Sequence, residues 1–243
     1  MNDLKVLRWT GAFGVAAGVL LLVASPLYVV MGTPPSLGDG ALFSEYVTRN
    51  NTILITTKLV DMGYLVGFIV FAAGLRHLIR QVRPDYEWLA ALVFGSALVQ
   101  TASVLMFEAL VGGAALDTFT KPDPTVVRAL TEASLAITAF GFILTALFLA
   151  SASYAILATR ALQRWTGWVG FGIAILNLVA VPAIFGGNDF MEAVVAGVTT
   201  SAGLYVYVSD IIGLAYIGWL LIVGISMMRV KPEAVATKPV YGG

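Results

Sequence analysis

The 243-residue chain is 59% apolar and only 12% charged, and its 14 basic and 14 acidic residues cancel. Soluble domains carry about a quarter charged residues, so a mean hydropathy of +0.90 points to a membrane protein, and zero net charge removes the basic field that attracts nucleic acid. With no cysteine and the single histidine His77, disulfides, thiolate metal sites, iron–sulfur clusters and a bis-histidine haem are excluded, and neither a cofactor nor a metal site is expected.

A spanning helix needs about 20 apolar residues. Six stretches qualify, at 9–31, 53–79, 89–110, 126–157, 168–185 and 204–228. The expected fold is therefore all-α, a polytopic bundle of six transmembrane helices over 1–230, with a disordered cytoplasmic tail over 231–243. Lys5 and Arg8 resemble the start of a signal peptide, but the apolar run outlasts the usual ~7–15 residues. The first span is followed by the turn-rich GTPPSLGDG. Next comes ALFSEYV, whose Leu42, Phe43, Tyr46 and Val47 share a helical face; it is expected as a separate interfacial helix.

The second span holds the stretch around which the chain is arranged. TTKLVDMGYLVGFIVFAAGLRHLIR carries Lys58 and Asp61 one helical turn apart. Between the third and fourth spans, Asp123-Pro124 predicts a helix start. The connection at 186–203 is apolar enough for an interfacial or re-entrant piece. Gly14–Gly18, Gly63–Gly67 and Ala91–Gly95 are small-xxx-small pairs suited to close helix packing. Pro26 and Pro182 predict kinks in spans 1 and 5.

Six spans place both termini and the 2–3 and 4–5 connections on one side. Lys5, Arg8, Arg76, Arg80, Arg83, Arg160, Arg164, Arg229, Lys231 and Lys238 fall there, against Arg49, Lys58, Lys121 and Arg128 opposite. The positive-inside rule puts both termini in the cytoplasm. Trp9, Trp88, Trp165 and Trp168 fall at the same inner ends, as an aromatic belt does. Spans 1–2 and 5–6 also share a Val-Ala-x-Pro match, and Asp61–Arg80 and Asp210–Arg229 have the same 19-residue spacing. These matches leave two readings open: three duplicated in–out–in hairpins, or coincidence in low-complexity sequence.

Asp61, Glu108, Glu132 and Asp210 are the acidic residues within or beside the spans. By the ~1.5 Å helical rise, Asp61, Glu108 and Asp210 reach the outer edge of the hydrocarbon, and Glu132 reaches the headgroups. The functional reading is an outward-facing polar pocket for a ligand, ringed by Lys58, Asp61, Glu108, Glu132 and Asp210, with Tyr64, Tyr205 and Tyr207 nearby. The structural reading is that Asp61, Glu132 and Asp210 simply occupy helix N-terminal turns, where the macrodipole favours carboxylates. Glu108 ends an outgoing helix, where a carboxylate is disfavoured, so it is expected to pair with Lys58. Gln100 and Asn177 are expected to make interhelical hydrogen bonds. His77 is expected at the inner interface, beside the basic cluster Arg76, Arg80 and Arg83, which could meet anionic lipid.

Two patches, FSEYVTRNNTILITTKLVDMGYLVGF and RALQRWTGWVGFGIAILNLV, resemble the bacterial six-span family known as domain of unknown function 4386. The resemblance implies a six-helix plasma-membrane protein and supplies no activity. Three function classes follow from the residues: a binding or transport protein for a small molecule, ion or lipid headgroup; a non-catalytic accessory or scaffold subunit; and, less well served, a carboxylate-dependent intramembrane hydrolase. No nucleophile–base–orienter set is legible, so the chain reads as a non-enzyme. The expected partners are membrane lipids, a small-molecule ligand, and a second membrane protein or copy of the chain.

Overall fold

The computed structural model describes residues 3–32, 40–117, 123–185 and 201–230. Among these residues the structure is all-helical, without strands: α1 (Asp3–Met31), α2 (Gly40–Val82), α3 (Glu87–Asp117), α4 (Pro124–Thr159), α5 (Arg164–Phe185) and α6 (Ser201–Met228), with a 3-10 turn at Pro84–Tyr86. Each long helix contains a segment long and apolar enough to cross a membrane. The sequence-based expectations for 186–200 and for the tail at 231–243 lie outside the described residues.

Neighbouring helices in the chain pack together, and α6 returns to lie along α1, closing the ring. α6 lies more extensively along α1 than along α5, while α2 also reaches α4. Every helix exposes large apolar side chains, among them Val23, Val66, Val99, Phe140, Ile175 and Ile211. Inside are Thr57, Lys58, Asp61, Gln100, Thr101, Glu108 and Asn177. An apolar exterior around a partly polar interior suits a bundle solvated by lipid, where no water satisfies an outward polar group.

Small residues set the α1 seams. A Cβ at Gly11 would lie 2.6 Å from the Gly224 carbonyl oxygen, and one at Gly224 would lie 2.8 Å from that of Gly11. The backbones of α1 and α6 thus touch. Gly14 and Gly18 form no single stripe: Gly14 receives Phe71 of α2, and Gly18 receives Leu221 of α6. Gly63 and Gly67 both face α1. Ala91–Gly95 is not a packing motif here, since Ala91 is exposed and Gly95 faces open space.

The core centre is aromatic. Phe68 meets Phe148 edge-on at 5.0 Å, and Trp219 meets Phe148 at 6.0 Å and Phe71 at 6.4 Å. These rings join α2, α4 and α6, and the Trp219 indole N–H donates to the Thr166 carbonyl of α5 at 2.9 Å. Trp9, Trp88, Trp165 and Trp168 are exposed at the end of the bundle that carries the termini.

The expected separate interfacial helix does not form. Its residues are the opening turns of α2, a continuous helix of 43 residues, about 64 Å long against a hydrocarbon layer of ~30 Å. Between Ala41 and Met62 there is neither glycine nor proline to break it. The outer turns of α2 also cap α1. Gly32 ends α1 at φ +75°, in the left-handed conformation that glycine adopts without strain. The Tyr46 hydroxyl then donates to the Gly32 carbonyl at 3.1 Å, and Asn50 reaches the Met31 carbonyl at 3.5 Å. Val47 and Leu54 pack with Met31, Ala114, Ala115 and Val127 in a second apolar core at this far end, opposite the termini. Leu42, expected on the same buried face, is exposed. The helix start at Asp123-Pro124 is present, with the Asp123 carboxylate accepting from the Thr125 N–H at 2.8 Å. α1 and α5 continue as helix through Pro26 and Pro182.

Gly224→Ala should lower the thermal midpoint of the detergent-solubilised protein, by a destabilisation of about 1–3 kcal/mol for an overpacked seam. Gly95→Ala should leave it unchanged or raise it. Equal losses in both variants would mean that the α1–α6 backbone contact does not limit stability.

Candidate functional site

Helical spacing on α2 turns Thr57, Lys58, Asp61 and Tyr64 toward the interior. Lys58 and Asp61 are 6% exposed and Glu108 is 5% exposed. Glu108 comes from α3, which packs beside α2. The Lys58 ammonium lies 2.7 Å from Glu108 Oε2 and 3.7 Å from Asp61 Oδ2. It also sits over the Phe107 ring, 5.1 Å from the centroid. One cation is thus shared by two carboxylates on different helices.

Charges removed from water cost several kcal/mol each unless paired. Lys58, Asp61 and Glu108 are all almost fully buried, so their charges must be met inside the bundle. The expected pairing of Glu108 with Lys58 is present, but Glu108 is not near a helix C-terminus: α3 runs on to Asp117, and burial is what requires the cation. The pair ties α2 to α3.

One turn deeper on α2, the Tyr64 hydroxyl meets the Tyr216 hydroxyl of α6 at 3.1 Å. The Gln100 side chain lies beside Tyr216, and its amide N–H donates to Thr145 Oγ1 of α4 at 2.9 Å. Gln100 Oε1 is buried without a hydrogen-bond partner. Below this level Phe68, Phe71, Phe148 and Trp219 fill the bundle, each fully or almost fully buried. From the triad toward the termini the interior passes from ions through hydroxyls and an amide to rings, while the core around Met31, Val47 and Leu54 at the far end is apolar.

The structure brings together three of the expected site residues, Lys58, Asp61 and Glu108, and places Tyr64 one turn below them. Glu132 lies elsewhere in height. Gln100 meets Thr145 on antiparallel helices, so Glu108, eight residues along, is level with about Ile137, and Glu132 is about 7 Å farther out. Asp210 and Lys58 each precede their contacting tyrosine by six residues, on helices running in the same direction, which puts their backbones at similar heights. The side chains of Glu132, Tyr205, Tyr207 and Asp210 fall outside the described residues.

Sequence reasoning missed Phe107 and Tyr216. The first is adjacent to Glu108, and the second is a polar-tipped ring in mid-span, which is the available signal. Gln100 makes the expected interhelical bond. Asn177 does not: its amide donates to the Ile173 carbonyl at 2.8 Å, one turn back in its own helix. His77 lies 3.7 Å from Asp3 near the termini. Among the described residues no group of three or more His, Cys, Asp or Glu side chains converges to hold a metal ion.

No family model, curated protein or solved structure matches the chain.

Lys58→Met leaves Asp61 and Glu108 together without their shared ammonium, and should cost about 3–5 kcal/mol, the range for breaking a buried ion pair. Glu108→Gln keeps Lys58 beside Asp61 and should cost less. Unfolding of both variants in mixed micelles checks the order. A glutamine variant as damaged as the methionine one would show that Asp61 does not share the lysine.

Proposed function

We propose that this is a multi-pass plasma-membrane protein, with both termini in the cytoplasm, that binds or transports a small solute or ion at a polar site entered from outside. The observation that carries this reading is the buried triad, in which one ammonium serves two carboxylates. Two carboxylates beside one ammonium suit a solute that presents a cationic group. The rings that fill the half nearer the termini favour entry from the far end. The ten-to-four bias of basic residues toward the termini and the exposed tryptophans at that end support a cytoplasmic assignment. The resemblance of two patches to the six-span family agrees with this setting.

A scaffold role draws on a specific feature of the same triad. Lys58 already contacts both carboxylates, so the three groups can set the register of α2 against α3 without any ligand. A carboxylate-dependent hydrolase is less well served, since the lysine engages both acids that would have to exchange protons.

A thermal-shift screen with small amines, quaternary ammonium compounds and alkali cations separates these readings. A solute at a hundred times its Kd should stabilise the native protein by about 2.7 kcal/mol, and that gain should vanish in Asp61→Asn and Glu108→Gln. If no cationic solute shifts the native protein while both variants remain folded, the binding reading fails and the scaffold reading takes its place. Orientation has its own check. A reporter that is active only in the cytoplasm, fused at either terminus, should be active, and a silent C-terminal fusion with normal expression would reverse the topology.

A further inference from the structure

The arginines of the two helix connections at the end carrying the termini differ in their surroundings. In sequence, Arg76, Arg80 and Arg83 form the obvious basic cluster. In the structure that corner is neutralised. Glu87 pairs with Arg76 at 2.9 Å and also with Arg80, and Asp85 pairs with Arg83 at 2.9 Å. Asp3, on the same end, lies at His77.

The α4–α5 turn differs. Arg160 and Arg164 are exposed and stand four residues apart on either side of the turn, and neither has an ion-pair partner among the described residues. Leu157 packs against Gly167, three residues inside each arginine, which holds the two at one height. Trp165 is 48% exposed, Trp168 65% and Val169 41%, all on the first turns of α5, and Tyr154 of α4 is 48% exposed. Arg160 is also the one non-glycine residue with positive φ, at 55°, among the described residues. It caps α4 where glycine is ordinarily favoured.

Two guanidinium forks presented together suit phosphate oxygens, which arginine binds in bidentate fashion. Tryptophan rings seat at the headgroup level, and the apolar faces of α4 and α5 continue into the hydrocarbon. Free phosphate would use only the first of these features. We propose that the α4–α5 turn binds an anionic phospholipid, its phosphate held by Arg160 and Arg164 and its acyl chains laid along Trp168, Val169 and Tyr154. The site is independent of the triad at the far end and stands whether or not a solute binds there.

The test uses the full chain in neutral detergent, with thermal midpoints measured on adding phosphatidylglycerol, phosphatidylcholine or inorganic phosphate. Phosphatidylglycerol should raise the midpoint more than phosphatidylcholine, and phosphate alone should not. That excess should fall by at least half in Arg160→Gln/Arg164→Gln and survive in Arg83→Gln. Equal shifts with both lipids, reproduction by phosphate, or an equal loss in Arg83→Gln would overturn the proposal. Should the double variant not fold, native protein in bilayer discs carries the test. Brominated phosphatidylglycerol should quench tryptophan emission more strongly than brominated phosphatidylcholine at the same mole fraction, and equal quenching refutes the site.

Discussion

A lysine buried in a helical bundle must find a counter-charge inside the bundle, and much of this architecture follows from that requirement. Lys58 finds two, Asp61 one turn along its own helix and Glu108 on α3. Because the partners lie on two helices, neutralising the charge also sets the height of α3 against α2. The same low-dielectric surroundings that make an unpaired ion costly strengthen the attraction within the triad. Glu108, buried nine residues before the end of α3, is held by that contact.

The interior is graded from this point toward the termini. Below the triad come a pair of tyrosine hydroxyls and an amide, and below those a set of interlocked rings from α2, α4 and α6. The buried charges lie at the triad, an apolar core closes the far end around Val47 and Leu54, and close-packed rings fill the centre of the half nearer the termini. Such a gradient gives the interior a sense of direction to match the one that the exposed tryptophans at one end give the exterior. Close α1–α6 backbone contact through Gly11 and Gly224 closes the ring and brings Tyr216 within reach of Tyr64.

Much of this was legible in the residues, for identifiable reasons. Apolar run length reports spans because a bilayer demands about 20 residues of it. Asp123-Pro124 reports a helix start because the cap is local. Glu108 meets Lys58 as expected but for another reason, since α3 runs on to Asp117 and it is burial, not a helix end, that calls for the cation. The separate interfacial helix was misread because amphipathic patterning locates a face but not a break. Without glycine or proline between Ala41 and Met62, the helix ran on, and its opening turns found partners in the last carbonyls of α1. Asn177 was misread because an asparagine in a helix can also satisfy itself on the carbonyl one turn back. The Ala91–Gly95 pair was misread because small residues permit close approach without requiring it.

By itself, the sequence determined what depends on composition and on contacts within a few turns: an all-helical chain, six apolar segments, the bias of basic residues and tryptophans toward one end, and a lysine and aspartate on one face of α2. The tertiary structure alone decided which distant groups meet. It matched Tyr64 to Tyr216, separated by 152 positions, set the rings of three helices against one another, and neutralised the arginines at one corner while leaving those of the α4–α5 turn exposed. The physical reason is that helix periodicity states which face a residue occupies. Which neighbour fills that face depends on the rotation and height of whole helices, and these are settled only when every buried charge and every close seam is satisfied at once.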